Sequence, residues 1–469
     1  MSREQLLAVV AAQAQVIEDQ AAQIEALAAQ VAELTRRLGQ NSGNSSLPPS
    51  ADRFAKPKRE RRRSSARRPG KQPGAPGSTL GLVADPDEVI DHLPSACHGC
   101  GAGLDGAAPA GMIMRQVRDV PLVRARVVEH RLHKRACGCG TVTTAPQPAG
   151  VDGPVCYGPN LRAIAVYLVV FQHVPVERAA QLIADLTGAA PSTGWVSAQV
   201  ARTAEALNEV EKLIKTLITL AAVIGVDETT LNIAGRKQWL HVARTDLLTA
   251  YHLHESRGRK AVDAFGVLPG YAGTAVHDAL SVYDGPDYAT ARHALCGAHL
   301  LRELTAVAEQ HPHAIWPGQA RSALADLAAA AHTARDQGLD HIPPERAAEA
   351  LMLFRHAVLV GLAEHRRAEG RKQSRARNLL ERLRDREVEI LRFTTDLNVP
   401  FTNNGSERDL RPVKTQIKIS GCHRAATGAQ AWLRVRGYIS TVRKHGDDVL
   451  TALRDAITGN PWTPPAPAT

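Results

Sequence analysis

Three acidic residues have the types and settings that metal-assisted chemistry needs: Asp227 in AAVIGVDETTLNIAG, Asp278 in GTAVHDALSVY and Glu407 in VPFTNNGSERDLRP. Asp227 and Asp278 follow short apolar runs, Val223-Ile224-Gly225-Val226 and Thr274-Ala275-Val276, that read as buried strands, whereas Glu407 opens a helical stretch after an Asn-Asn-Gly-Ser turn. Carboxylates delivered from separate elements to one spot suit a pair of Mg²⁺ (or Mn²⁺) ions. Such ions take one or two protein carboxylates each and leave positions for water and phosphate oxygens. Phosphodiester chemistry is the reaction class this implies. Each acid has rivals: Glu228 beside Asp227, Asp284 and Asp287 after Asp278, and Asp409 after Glu407. Strand alternation puts Asp227 and Glu228 on opposite faces, so only one of them lines the site. Asp278 is favoured over the later pair because those lie around the Gly285-Pro286 turn.

A second constellation is Cys97-His-Gly-Cys100 and Cys137-Gly-Cys139, separated by a stretch rich in Val and Arg. Two tight thiolate knuckles with room for strands between them suit tetrahedral Zn²⁺, with Cys97, Cys100, Cys137 and Cys139 as ligands, and His98 and His133 read as surface histidines or else as substitutes for one cysteine. Cys156 and Cys422 read as small apolar residues.

These groups need elements to carry them. Residues 3–38 form a heptad with Val10, Ile17, Ile24, Val31 and Leu38 at a, and Leu6, Gln13, Gln20, Leu27 and Leu34 at d. That pattern favours a parallel two-stranded coiled coil, with the glutamines fixing register; the alternative is an amphipathic helix packed on the chain's own body. Gly39, the QNSGNSS segment and Pro48-Pro49 end it. Val176–Ala189 and Trp195–Leu207, joined by Pro191-Ser-Thr-Gly194, read as helix, turn, helix, with Val196, Val200 and Ala204 as the apolar stripe. Strands are expected at 222–227, 238–244, 248–254 and 273–278, and helices from near Arg259 and near Tyr288. Residues 311–392 carry only helical signals, 425–456 close the fold with helices, and the Pro-rich tail from 460 reads as loose.

At 469 residues the chain exceeds one compact domain, and its 44% hydrophobic content is ample for buried cores. The N-terminus lacks a signal-peptide pattern and no long uncharged apolar run occurs, so a soluble, cytoplasmic protein without membrane contact is expected. Seven cysteines are too few for a secreted disulfide scaffold. The net charge of +10 is concentrated in residues 53–71, where ten Lys or Arg face the single Glu60. Arg61, Arg62 and Arg63 at its centre read either as part of a solvated linker or as a phosphate-gripping arm. Downstream, Arg408, Arg411, Lys414, Lys418, His423 and Arg424 follow the third acid, forming a solvated helix face or a track for a DNA strand.

The segments QNSGNSSLPPS (40–50), VDETTLNIAGRKQWLHVART (226–245), HALCGAHLLREL (293–304) and NNGSERDLRPVKTQIKISG (403–421) together resemble DDE transposases of the insertion-sequence-66 family, in the expected order over nearly the whole chain. The resemblance implies a multidomain α/β protein. A coiled coil (1–40), basic linker (41–88), zinc-ribbon-like module (89–150) and helix-turn-helix region (151–215) would lead into a ribonuclease-H-like catalytic core (216–310 and 396–458), interrupted by a helical insertion (311–395) and followed by a tail (459–469). It selects Asp227, Asp278 and Glu407 as the catalytic, metal-holding acids. It also identifies Cys296-Gly-Ala-His299 with the C-x-x-H placed after the second aspartate in several DDE groups, where His299 has a structural or DNA-end-contacting role or, less simply, a zinc-binding one. The implied function is binding of terminal inverted repeats in double-stranded DNA, metal-dependent strand cleavage and transfer to target DNA. The expected setting is a homo-oligomer associated with the bacterial nucleoid, with accessory proteins of the same element as possible partners. A sequence-specific DNA-binding regulator or inactive transposase remnant, and a nuclease without strand transfer, are the competing readings.

Overall fold

The computed structural model describes residues 2–45, 80–120, 123–151, 153–370 and 372–465, so the basic run with Arg61, Arg62 and Arg63 lies outside the described residues. The chain divides into two compact units, residues 56–127 and residues 1–55 with 128–469. In the smaller unit, Gln116 bonds both backbone groups of Val83, and Ala96 bridges Gly103 across the turn that holds Cys97 and Cys100.

The larger unit opens with α1 (Arg3–Leu38), a single helix. Its heptad residues are exposed: Ile17 at 64%, Ile24 at 67% and Val31 at 61%. The seam is therefore left exposed by the rest of the described chain. A short hairpin of β1 (Lys134–Ala136) and β2 (Val142–Thr144) carries Cys137 and Cys139 in its turn.

Next come α2 (Pro159–Val166), a π-helical turn over Tyr167–Phe171, α3 (Val176–Thr187), α4 (Thr193–Ala206) and α5 (Asn208–Thr219). α3 ends because Gly188 takes φ 75°, and α4 starts where the Ser192 hydroxyl accepts from the Trp195 amide. Val196, Val200 and Ala204 are buried, as their spacing required.

Five strands form the central sheet: β3 (Val223–Ile233), β4 (Arg236–Arg244), β5 (Thr249–His254), β6 (Thr274–His277) and β7 (Arg292–Leu295). Their order is β5-β4-β3-β6-β7, with the first three antiparallel and β6 and β7 parallel to β3. α6 (Arg259–Phe265) makes the crossover between β5 and β6. Two expectations are corrected here. β3 does not stop at Asp227 but runs on to Ile233, because its second half pairs with β4 in a long hairpin turned at Ala234-Gly235, both at positive φ. No helix starts at Tyr288: a 3₁₀ turn over Pro286–Tyr288 leads into β7, whose Arg-His-Ala-Leu is too short to announce itself by alternation.

α7 (Gly297–Gln310), α8 (Trp316–Asp336), α9 (Pro344–Glu364), α10 (Arg375–Asp385), α11 (Glu387–Ile390) and α12 (Arg392–Thr395) follow without a strand. They build a second hydrophobic core around Trp316, Leu324 and Phe354, which Val276 and Leu295 of the sheet join. α13 (Asn404–Ser420) and α14 (Ala426–Lys444) return to the sheet and share the first core with α15 (Val449–Ile457). The tail is not wholly loose: Trp462 packs on His445 and Tyr438, with ring centroids 5.1 and 6.4 Å away. Among the described residues no helix is long and apolar enough to cross a membrane.

Candidate active site

The sheet delivers two acids to one level. β3 and β6 run parallel with Gly225 opposite Val276, so Asp227 on β3 and Asp278 just past β6 come abreast. Glu407 arrives from the first turn of α13. The convergence has an electrostatic signature: burial, followed by the charges of Glu228, Asp278 and Glu407, pushes the Asp227 carboxyl up to about 8. Each acid is held in place. Asp227 Oδ1 accepts from the Glu228 amide at 2.8 Å, Asp278 Oδ1 accepts from the Leu280 amide at 3.0 Å, and Arg302 Nη2 of α7 donates to Glu407 Oε1 at 3.3 Å.

The third acid depends on a clamp that spacing alone did not announce. Asn403 Nδ2 donates to the carbonyl of Val226, the residue before Asp227, at 2.7 Å; its Oδ1 accepts from Ser406 Oγ at 2.7 Å. Gly225 must be glycine to admit this clamp, since a Cβ there would sit 2.6 Å from Asn403 Oδ1 and 2.7 Å from Ser406 Oγ. Gly405 likewise makes room for the Arg244 guanidinium. The Asn-Asn-Gly-Ser-Glu motif is thus the bolt that fixes α13 to β3.

The rival acids are spoken for. Glu228 is buried, accepts from Tyr283 Oη at 2.6 Å and from Arg257 Nε at 2.9 Å, and has its carboxyl raised by burial and by Asp278 against those two donors. Arg257 also lies 5.0 Å over the Trp239 ring. Asp284 pairs with Arg386 at 2.7 Å and Asp287 pairs with Arg259. Asp409 is a structural ion: Lys444 Nζ donates to its Oδ2 at 2.7 Å, Arg244 lies 3.4 Å away and Thr249 Oγ1 3.2 Å away. Burial holds the Lys444 amine down to about 8 against that partner. Asp409→Ala leaves Lys444 buried without its counter-charge and Arg244 paired only with the exposed Asp246. It should cost about 3–5 kcal/mol in denaturant unfolding, and an unchanged midpoint would refute the ion pair's role.

Cys296 and His299 play separate parts. Cys296 is buried and its sulfur accepts from the Asn403 amide at 3.1 Å, which makes it part of the clamp. His299 has its pKa lowered by burial and by Arg302, with Asp278 and Glu407 acting in the opposite direction. Its Nδ1 is buried without a hydrogen-bond partner among the described residues. Arg408, Arg411 and Lys418 are exposed on α13 and Lys414 is half-buried. Arg411, Lys414 and Lys418 follow Glu407 at helical spacing, forming one basic stripe that leads away from the acids.

The two cysteine knuckles, each taken by itself, share a loop geometry. Cys97 N donates to Ala102 O and Cys137 N to Thr141 O, both at 2.8 Å, with Gly101 and Gly140 at φ 76° and 85°. The Cys97 thiol is pulled down by the amides of Cys100 and Gly99, and that of Cys139 to about 7 by the Thr141 hydroxyl and amide. Among the described residues no three His, Cys, Asp or Glu side chains are gathered into a group that could hold a metal ion. Cys156 and Cys422, read from the sequence as small apolar residues, are both exposed.

The fold thus defines a mixed α/β protein in which Asp227 lies on β3, Asp278 just past β6 and Glu407 at the start of a helix with a basic face. The sequence profile of the transposase IS66 family matches residues 154–431, and the chain belongs to that family. Residues 4–80 match a family of unknown function (DUF6444). No curated protein matches the chain.

Proposed function

We propose that this chain is a DDE transposase that cuts and joins DNA at Asp227, Asp278 and Glu407 with Mg²⁺ or Mn²⁺. The observation that carries the reading is the Asp227 carboxyl, pushed up to about 8 by burial and by three neighbouring carboxylates. Hard oxygen donors crowded beyond what Arg302 and Arg257 neutralise fit a divalent cation, and Mg²⁺ needs only one or two of them. When bound, the metal would polarise the phosphate and activate the attacking oxygen.

The chain's own residues do the positioning. The Asn403 clamp holds Glu407 against the β3 acid, Arg302 orients Glu407, and the Leu280 amide orients Asp278. His299, on α7 with Arg302, takes a structural or DNA-end-contacting role. Arg408, Arg411, Lys414 and Lys418 contact the backbone of the strand entering along α13, and the basic run with Arg61, Arg62 and Arg63 adds sequence-independent grip. In the first step water attacks phosphorus and releases a 3′-hydroxyl; in the second that hydroxyl attacks target phosphorus and displaces the target's own 3′-oxygen. The strand order β5-β4-β3-β6-β7 with one antiparallel half supports a ribonuclease-H-like core, and α3 and α4 support a helix-turn-helix that reads the terminal repeats. The deciding experiment incubates full-length protein, Mg²⁺ and labelled ends of its own element with a target plasmid. Joined products identify a transposase, cut ends without joining a nuclease, and binding alone a regulator or remnant.

Two further outcomes belong to this reading. Removing residues 1–39 should lower the mass in sedimentation and weaken paired-end binding more than single-end binding, because the exposed heptad seam is the dimer contact; an unchanged mass refutes it. The thiolate pairs Cys97/Cys100 and Cys137/Cys139 are read as zinc ligands. Native protein should then hold about one zinc, lost with local unfolding on Cys97→Ser and Cys100→Ser; elemental analysis finding none refutes it.

A further inference from the structure

The QNSGNS segment that follows α1 plays no part in the chemistry described above. It folds into a knob stapled to α7. Gly39 closes the helix on Thr35 O, Asn41 Oδ1 accepts from Gly43 N at 2.7 Å, and Asn44 Oδ1 accepts from Asn41 N at 2.8 Å. Asn44 Nδ2 then donates both to Gly39 O at 3.0 Å and to Glu309 Oε2 of α7 at 2.7 Å. Asn44 therefore shapes the knob and docks it.

Between the knob, α7 and α10 lies a cavity of about 330 Å³. Its α7 wall holds His299 and Arg302, and Arg302 donates to Glu407 Oε1, so one residue of the wall links the cavity to the third acid. Its α10 wall presents Arg375, Asn378 and Arg382 at i, i+3 and i+7, one helix face, with Arg382 tied across to Glu303 at 2.8 Å. Val307 and Leu379 supply an apolar floor. Arg302 Nε is buried without a partner among the described residues, and Arg375 and Asn378 are exposed.

We infer that this cavity is a subsite for one unpaired nucleotide of the DNA strand held at the carboxylates, a proposal that rests on the active-site reading above. The volume is at the small-ligand end of binding sites and admits a single nucleotide but no duplex. Guanidinium forks at Arg302 and Arg375 suit a phosphate, the carboxamide of Asn378 offers a donor and an acceptor to a base edge, and the Val307/Leu379 floor takes the base face. Unpairing costs a few kcal/mol, which contacts from Arg375 and Asn378 would offset. Because the knob continues α1, the subsite is complete only when the end of the oligomerisation helix is docked.

The test uses full-length protein in EDTA and a single-stranded hexadeoxynucleotide ending in 2-aminopurine, with a blunt duplex as control. Binding should change the 2-aminopurine emission. Arg375→Ala combined with Asn378→Ala should weaken the hexamer roughly tenfold or more, with blunt-duplex binding and unfolding midpoint unchanged, since both side chains are exposed. Asn44→Ala, which undocks the knob that forms one wall of the cavity, should remove the emission change in the same way, and Asn378→Asp should weaken binding without altering the fold. A wild-type protein that ignores the probe, or pocket variants that bind it normally, would overturn the inference. The two readings fail separately. Normal cleavage by Asp227→Asn with probe binding lost in the pocket variants sinks the catalytic reading alone; the reverse pattern sinks the subsite alone.

Discussion

Asp227→Asn, Asp278→Asn and Glu407→Gln will each abolish strand cleavage and joining in the full-length protein, by roughly 10³-fold or more, while binding to the element's ends survives. Amides keep the shape of the acids and remove the charge that retains a divalent ion. The losses should not add, because groups acting as one unit fail together. The rival acids supply the controls. Asp284→Asn breaks only a surface pair with Arg386 and should cleave normally. Glu228→Gln should retain substantial activity, since its side chain is occupied by Tyr283 and Arg257. Asp409→Asn is expected to fail through instability rather than chemistry, which separates it from Glu407→Gln in a thermal melt. Normal cleavage by one of the first three would remove that residue from the site, and by all three would remove the mechanism.

Asp227→Asn will also make the metal-free protein more stable, and this effect has a pH signature. The carboxyl titrates near 3.8 when unfolded and near 8 when folded, so the folded chain holds the proton more tightly. Its contribution is fully present below about pH 4 and is lost as pH rises through 8. The wild-type protein in EDTA should therefore lose stability relative to Asp227→Asn between about pH 5 and 8.5, by an amount on the order of a few kcal/mol. Added Mg²⁺ should reverse the ranking at about pH 8, because a cation that binds only the folded carboxylates stabilises only the wild type. Parallel pH profiles for the two proteins in EDTA would show that Asp227 is not desolvated by its neighbours. Stability sacrificed at a functional centre is a common trade.

Much of this was legible because it is local. The heptad of α1, the Ser192 cap, the apolar runs before Asp227 and Asp278 and the helical character of 311–392 are written in periods of seven, in single hydroxyls and in short β-branched stretches, which neighbouring residues alone decide. The strand β7 was illegible because four residues, only two of them apolar, carry no period. Asp227 looked like a strand end because the hairpin that extends β3 depends on pairing with β4, a contact between segments and not within one.

The chain's residues determined on their own which acids were available and which elements would carry them. Only the tertiary structure decided which of those acids other side chains engage. Glu228 and Asp409 have the same chemistry as Asp227 and Glu407 and lie one or two positions away, yet Tyr283 and Arg257 engage one, and Lys444 and Arg244 the other. Those partners come from distant segments of the chain, and nothing in the spacing of the acids encodes them. The same holds for Gly225, whose missing Cβ lets Asn403 reach the carbonyl before Asp227: a void at one position matters only because a clamp from another element fills it.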